Sequence, residues 1–404
     1  MANSNPNQAI IIDNGSSYMK CDFNNFELPR YVTQTVISNP KPKFKSEGYH
    51  KDYQIGSFAL QVPPENFNTV FPICNGKMRH WDELKQIWSD IFYSQLRSSP
   101  SEHLVLILDH IHNGLKNREL MVEFMFETIN FPGLYLINQQ VLSLYSLQKT
   151  TGIIIDLGGT TTTIVPFYES SCLFDAYPSN KIKKYYIAEY GSEYINQFIR
   201  KHLLEFNVDI PSFTNSIKEE YCSVSSSSEE FENFEVSIEE NSTKPKIDSP
   251  DVKTRTLDLT NMTNIDIHNF VTNELSSILN TASELYFQPK LLDISSKSLP
   301  TLLKEVVIAI TDLELHNSIT KELLENICIV GGGAQLQGLH PRMKTELREI
   351  ISSDYKYNII FSENPLYSSW MGGAILSRLG NFFRLVTNQK EYHEDGMNIM
   401  NKFY

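Results

Sequence analysis

The 404-residue chain is poor in the residues that staple small or secreted folds. Its five cysteines (Cys21, Cys74, Cys172, Cys222 and Cys328) are odd in number and widely scattered, and no two form a Cys-x-x-Cys pair. That pattern excludes a disulfide framework and a cysteine zinc site, and it suits a reducing compartment. Basic residues are also short, with 35 Lys and Arg against 48 Asp and Glu and a formal charge of −13. A broad cationic surface for gripping a nucleic-acid backbone is therefore not expected, and any contact with chromatin would run through a partner. No apolar run approaches the roughly 20 residues that cross a bilayer, and no basic, apolar, small-residue progression opens the chain. The expectation is a soluble nuclear or cytoplasmic protein without membrane contact, in which the Asn-x-Ser/Thr sequons at 14 and 241 are chance matches.

What is present is a large core and a repeated motif. Hydrophobic residues make up 41% of the chain and aromatics 11%, enough for two α/β domains of ordinary size. The segments "AIIIDNGSSYMKCDF" (9 to 23) and "GIIIDLGGTTTTIVPF" (152 to 167) share a plan: an isoleucine run, Asp, a spacer, Gly, then a second apolar segment. The runs read as strands buried on both faces, and the glycines as the turns of hairpins with an acid at the mouth. Such turns aim successive backbone NH groups at phosphate oxygens. Gly15, Gly158 and Gly159 would form them, Ser16, Ser17 and Thr160 to Thr162 would add hydroxyl donors, and Lys20 a compensating charge. Asp13 and Asp156 are placed to hold a hydrated divalent cation. Asp-x-Gly once is ordinary turn chemistry; twice, in separate halves, it points to one job done from two sides.

Between and after these copies the pattern alternates. "HLVLILD" and "GLYLIN" read as strands, while "NRELMVEFMFETI" and "QQVLSLYSLQ" read as helices, which predicts a mostly covered mixed or parallel sheet. From Ser223 to about 255 serines, acids and prolines predict an exposed, partly disordered insertion. Helix-like segments resume before "NICIVGGGAQLQGL" (326 to 339), a third strand ending in glycine, where Gly331, Gly332 and Gly333 allow a ligand to approach the backbone closely. In the tail, Gly372 and Gly373 open an amphipathic stretch whose Ile375, Leu376, Leu379, Phe382, Phe383 and Leu385 are expected to return one broad face to the first core. His110 and His112, spaced i, i+2 with no third ligand nearby, read as surface turn residues rather than a metal site, and Trp81, Trp88 and Trp370 as packing anchors. The expected organisation is a first lobe over 1–145 with a small subdomain at about 31–75, a second lobe over 146–345, and a return to the first lobe over 346–404.

In these segments the chain resembles the actin and actin-related protein family. The likeness runs through "IIIDNGSSYMKCDF", "HWDELKQIW", "KNRELMVEFMFETINFPGLYL", "VLSLYSLQKTTGIIIDLG", "IKEEYC", "CIVGGG", "YSSWMGGAIL" and "QKEYHEDG" in that order. The resemblance implies an α/β, two-lobed fold shared with sugar kinases and chaperone ATPases, with ATP or ADP and Mg²⁺ in a central cleft. By position it makes Asp13, Ser16 and Lys20 the phosphate and cation residues of the first hairpin, and Asp156 and Gly158 those of the second. Lys218 and Glu219 would wall the adenosine, with Gly331 to Gly333 as its floor. Gln139 falls where the family has a water-orienting glutamine; it serves either that role or the hinge backbone.

The departures from the family pattern are as informative. Gly159 stands where the family has an acid, Thr163 where it has a water-positioning histidine, and Ser17 where it has a glycine. Gln335, Leu336 and Leu366 replace the Met, Tyr and Lys of conventional actins beside the adenine. Binding is expected to survive these changes and hydrolysis to be slow or absent, since each 1.36 kcal/mol of lost transition-state stabilisation is roughly tenfold in rate. The likeness is weakest over 31 to 60, 167 to 190 and the insertion, which argues against filaments. The expectation is a divergent actin-related protein: a structural subunit that docks on a partner's helical segment, with a nuclear chromatin remodeller favoured over a cytoskeletal, dynactin-type filament of actin-family subunits. A small-molecule kinase is disfavoured because no sugar site is evident.

Overall fold

The computed structural model describes residues 8–43, 53–173, 185–206, 208, 211–233, 264–313 and 315–403. Its first sheet is nucleated by the isoleucine run. Strand β1 (Ala9–Asn14) pairs antiparallel with β2 (Tyr18–Phe23), and β2 with β3 (Tyr31–Gln34). Three short strands, β4 (Ile37–Pro40), β5 (Gln54–Ile55) and β6 (Phe67–Val70), form a separate small sheet, and β7 (Ile73–Cys74) pairs with β8 (Lys77–Met78). Helix α1 (Trp81–Ser89) then leads to β9 (Leu104–Asp109), α2 (Leu115–Glu123) and β10 (Gly133–Asn138), with β9 parallel to both β1 and β10.

Helix α3 (Gln139–Ser146) starts at once, capped by Asn138, whose side chain accepts from the Gln140 amide. It crosses to the second sheet. There β11 (Gly152–Leu157) is antiparallel to β12 (Thr162–Tyr168), which also pairs with β13 (Ser171–Cys172) and β14 (Tyr186–Ala188). Helices α4 (Ser192–Leu203), α5 (Pro211–Tyr221), α6 (Asn264–Glu274), α7 (Ser276–Ser283), α8 (Leu299–Asp312) and α9 (Asn317–Glu325) follow. Strand β15 (Ile327–Val330) then runs parallel to β11, α10 (Leu339–Ile350) packs outside, and β16 (Ile359–Phe361) closes the edge. Helix α11 (Ser368–Arg378) comes back, β17 (Thr387–Asn388) joins β10, and α12 (Gln389–Asp395) ends the regular structure. The result is the expected α/β, two-lobed architecture.

Alternation along the isoleucine runs explains why every one is buried. Ile10 and Ile12 face one core with Trp88 and Phe92, while Ile11 faces another. Ile153 and Ile155 belong to the second lobe's core, and Ile154 turns to the opposite face. With side chains alternating at period 2, a strand covered on both faces must be apolar throughout. Ile11 and Ile154 meet in a third core between the sheets, filled by Leu142, Leu144, Trp370 and Ala374 from α3 and α11.

Two expectations are corrected here. In the tail, Leu376 and Phe382 are buried but Ile375, Leu379, Phe383 and Leu385 are exposed. The buried face runs instead through Trp370, Gly372, Gly373 and Ala374, because α11 lies so close to α3 that a Cβ on Gly372 would fall 1.7 Å from the Leu142 carbonyl oxygen. The start of the serine-acid insertion is largely exposed, as expected, but it is anchored to the second lobe rather than loose. Ser223 bridges to Gln337, Val224 and Phe231 are buried, and the buried Arg342 guanidinium donates to the Ser225 carbonyl (3.1 Å) and Ser228 Oγ (2.9 Å). Arg342 is itself paired with Glu284 (3.1 Å) and Glu346 (2.7 Å). The remainder of that stretch, 234 to 255, lies outside the described residues.

Candidate functional site

The carboxyl ends of β1, β11 and β15 open on one cleft of about 890 Å³. Its wall includes Asp13, Gly15, Ser16, Ser17, Lys20, Gln139, Asp156, Gly158, Gly159, Thr160, Thr161, Lys218, Glu219, Gly331, Gly332 and Gly333, so these candidates reach the same space. The expectation for Thr162 is corrected, because its side chain is buried away from the cleft and its hydroxyl donates to the Tyr190 carbonyl (3.0 Å). Gln335, Leu336 and Leu366 line it as well.

The first hairpin sets its charge by register. Asp13 and Lys20 are cross-strand partners in β1 and β2, and Lys20 Nζ lies 2.9 Å from Asp13 Oδ2, both side chains being buried. Ser369 of α11 donates to the same oxygen at 2.9 Å. In the second hairpin Gly158 NH donates to the Thr161 carbonyl (2.9 Å), closing the turn. The first NH groups of α4 hold it from behind: Ser192 donates to the Gly158 carbonyl and Glu193 to that of Gly159. The Asp156 carboxylate accepts at Oδ2 from the side-chain amides of Gln139 (3.2 Å) and Gln140 (3.0 Å). Burial raises its pKa, and the two amide hydrogen bonds counter that rise. Gly331, at φ +88°, permits the floor to approach: a Cβ there would come within 2.6 Å of Asp156 Oδ1.

The two hairpins meet. A Cβ on Gly159 would fall 1.9 Å from Ser17 Oγ, so the serine of one hairpin fills the volume a side chain would need on the other. A turn from the first lobe touches both. The amide of Asn75 donates to Thr160 Oγ1 (3.1 Å) and that of Gly76 to Ser16 Oγ (3.4 Å). With their oxygens accepting these bonds, both hydroxyls keep a proton to offer an anion. The Asn75 side chain also donates to Glu189 (3.1 Å), across the cleft.

His110 corrects the sequence reading. It is buried rather than a surface turn residue, and it lines the cleft just past β9. Asp109, held by Arg118 (2.6 Å) and Asn113 (2.7 Å), anchors the turn. The His112 amide donates to His110 Nδ1 (3.1 Å), which leaves the proton on Nε2. Nε2 faces Thr161 Oγ1 and Thr163 Oγ1, each at 3.4 Å. Burial pulls this imidazole down to about 3. An imidazole is thus placed, from the turn after β9, beside Thr163, the position where the resemblance leads one to expect a histidine. Gly76 makes room, since a Cβ there would lie 2.3 Å from His110 Nδ1.

These groups suit a nucleotide with its cation. Among the described residues no group of three His, Cys, Asp or Glu side chains could hold a metal directly. A cation here would rest on its own water shell and on ligand oxygens. Asp13, Asp156 and the Gln139 side-chain oxygen, which is buried without a partner among the described residues, are acceptors for that shell. At the other end, burial lowers the Lys218 pKa while Glu193 and Glu219 oppose it. Beyond the sequence-derived set, the cleft recruits Ser369, Asn75, Gly76 and His110, and the buried Gln140 acts on it through Asp156. Of these, Gln140 is signalled by its place beside Gln139, and His110 stands out in the sequence but reads there as a surface turn residue.

No helix among the described residues is long and apolar enough to cross a membrane. A family model, that of actin, matches residues 4–403, almost the entire length. With paired hairpins over a shared cleft and a match of this extent, the chain belongs to the actin family.

Proposed function

We propose that the chain is an ATP- or ADP-binding structural subunit of a multiprotein assembly, with hydrolysis slow or absent. One observation carries this reading. The phosphate end keeps its charges, Asp13, Lys20 and Asp156, but the second hairpin has no carboxylate at Gly159 and no imidazole at Thr163. The hydroxyl of Ser17 fills the first gap and a neutral His110, whose Nε2 proton is already directed at threonine oxygens, lies beside the second. Binding groups outnumber groups that activate water.

The assembly we favour is a nuclear chromatin remodeller, the partner being a helical segment of another subunit. Exposed Ile375, Leu379, Phe383 and Leu385 in the returning tail supply apolar surface for it, beside the 24–28 segment to which Arg378 is tied. The formal charge of −13 supports contact with protein rather than with nucleic acid.

The test uses the purified full chain with Mg²⁺ and a fluorescent ATP analogue, followed by phosphate release and sedimentation. Saturable binding, no steady multiple turnover and a soluble monomer are expected. Steady turnover overturns the structural-subunit reading, and a salt-dependent pellet replaces it with a filament subunit. Affinity purification of the tagged protein at moderate salt identifies the assembly, and recovery with cytoskeletal components alone overturns the nuclear assignment.

A further inference from the structure

Tyr286, in the turn that follows α7, is wholly buried and forms part of the cleft wall, yet its hydroxyl has no hydrogen-bond partner among the described residues. A buried hydroxyl without a partner is a cost that native folds rarely retain without a use. Its neighbour Tyr190, with ring centroids 6.2 Å apart, donates its hydroxyl to the Lys297 carbonyl at 2.9 Å, so this corner of the core does supply partners. Phenylalanine would fill the site at 286 equally well by volume.

The hydroxyl lies against the floor of the cleft. Gly333 lies against it, and a Cβ at 333 would come within 2.0 Å of the hydroxyl oxygen. Glycine is therefore the residue that leaves this buried hydroxyl room directly beneath the cleft floor. The same Cβ position is 2.9 Å from the Leu157 carbonyl, so the hydroxyl sits where the glycine floor meets the base of the second hairpin. Burial, then the fields of Tyr190 and Asp156, keep the phenol protonated. It is a permanent neutral donor in a cleft whose Lys20 charge is already matched by Asp13.

We propose that the Tyr286 hydroxyl donates to an oxygen of the phosphate nearest the sugar of a bound adenine nucleotide. Tyr286 is then a ligand-binding residue at the junction of floor and hairpin. The assignment rests on the nucleotide-binding reading above.

Tyr286→Phe removes the hydroxyl alone. Affinities of wild type and variant for ADP with Mg²⁺ and for adenosine, together with melting temperatures without nucleotide, make the test. The expected result is about tenfold weaker ADP binding or more, unchanged adenosine binding, and a nucleotide-free melting temperature equal to or above that of wild type. Equal ADP affinity in the two proteins overturns the inference while leaving nucleotide binding in place. Equal losses for ADP and adenosine, or a lowered nucleotide-free melting temperature, make the hydroxyl a nucleoside contact or a structural group and overturn it too. A wild type that binds neither probe removes the nucleotide reading itself.

Discussion

Single side chains carry the chemistry of the cleft, and two of them give direct tests. Lys20 is the buried counter-charge of Asp13. Lys20→Met strands that carboxylate and should cost roughly 3–5 kcal/mol of stability, read by denaturant unfolding, along with nucleotide binding. His110 is held neutral by burial, its pKa drawn from 6.5 to about 3. The unfolded chain takes up a proton that the folded chain refuses, so this residue's contribution is intact above about pH 6.5 and is lost as pH falls toward 3. Wild type should therefore lose up to roughly 1.4 kcal/mol per pH unit more than His110→Asn across that window. Unfolding midpoints at pH 7, 6, 5 and 4 check it, and parallel curves would refute it. Asp13, Lys20 and Asp156 were legible because a short motif repeats. His110 was not, because its role depends on a glycine at 76 and threonines at 161 and 163, which only the folded chain brings to it.

Elements repeat the lesson with packing in place of chemistry. Strands could be read from their isoleucines, since burial on both faces leaves a plain apolar run. The returning helix could not, because its buried face is marked by small residues that carry little hydrophobic signal. Gly372 and Gly373 look alike in sequence but not in the fold. A Cβ at 372 would collide with the Leu142 carbonyl at 1.7 Å, whereas one at 373 would meet Ile11, Leu106 and Leu108 side chains at 3.2 to 3.4 Å. Gly372→Ala should force α3 and α11 apart at a cost of roughly 2 kcal/mol or more. Gly373→Ala should come close to neutral, its crowding offset by the roughly 1 kcal/mol that alanine gains over glycine in a helix. Thermal unfolding of the pair decides it. The serine-acid segment misled for a related reason: its polar composition hides Val224 and Phe231, and its anchor, Arg342, lies more than a hundred positions later. Arg342→Met should unmask 223 to 233 to a glutamate-directed protease while the nucleotide cleft stays formed, as limited proteolysis with mass mapping would show.

At the scale of the whole molecule, the two lobes are joined by a common core as well as by two chain crossings. Ile11 and Leu108 from one sheet and Ile154 and Val165 from the other pack on the same helices, with Trp370 at the centre. Neither sheet can expose its inner face without exposing the other's, so calorimetry should give one cooperative unfolding transition, and two resolved peaks would contradict this coupling. The contact between Ser17 and Gly159 extends the interdependence to which substitutions the fold tolerates. A carboxylate introduced at 159 first has nowhere to go, whereas clearing position 17 first merely leaves a gap. Gly159→Asp should therefore be tolerated only once Ser17→Gly has made room for it, so two positions in opposite halves of the chain accept change in one order.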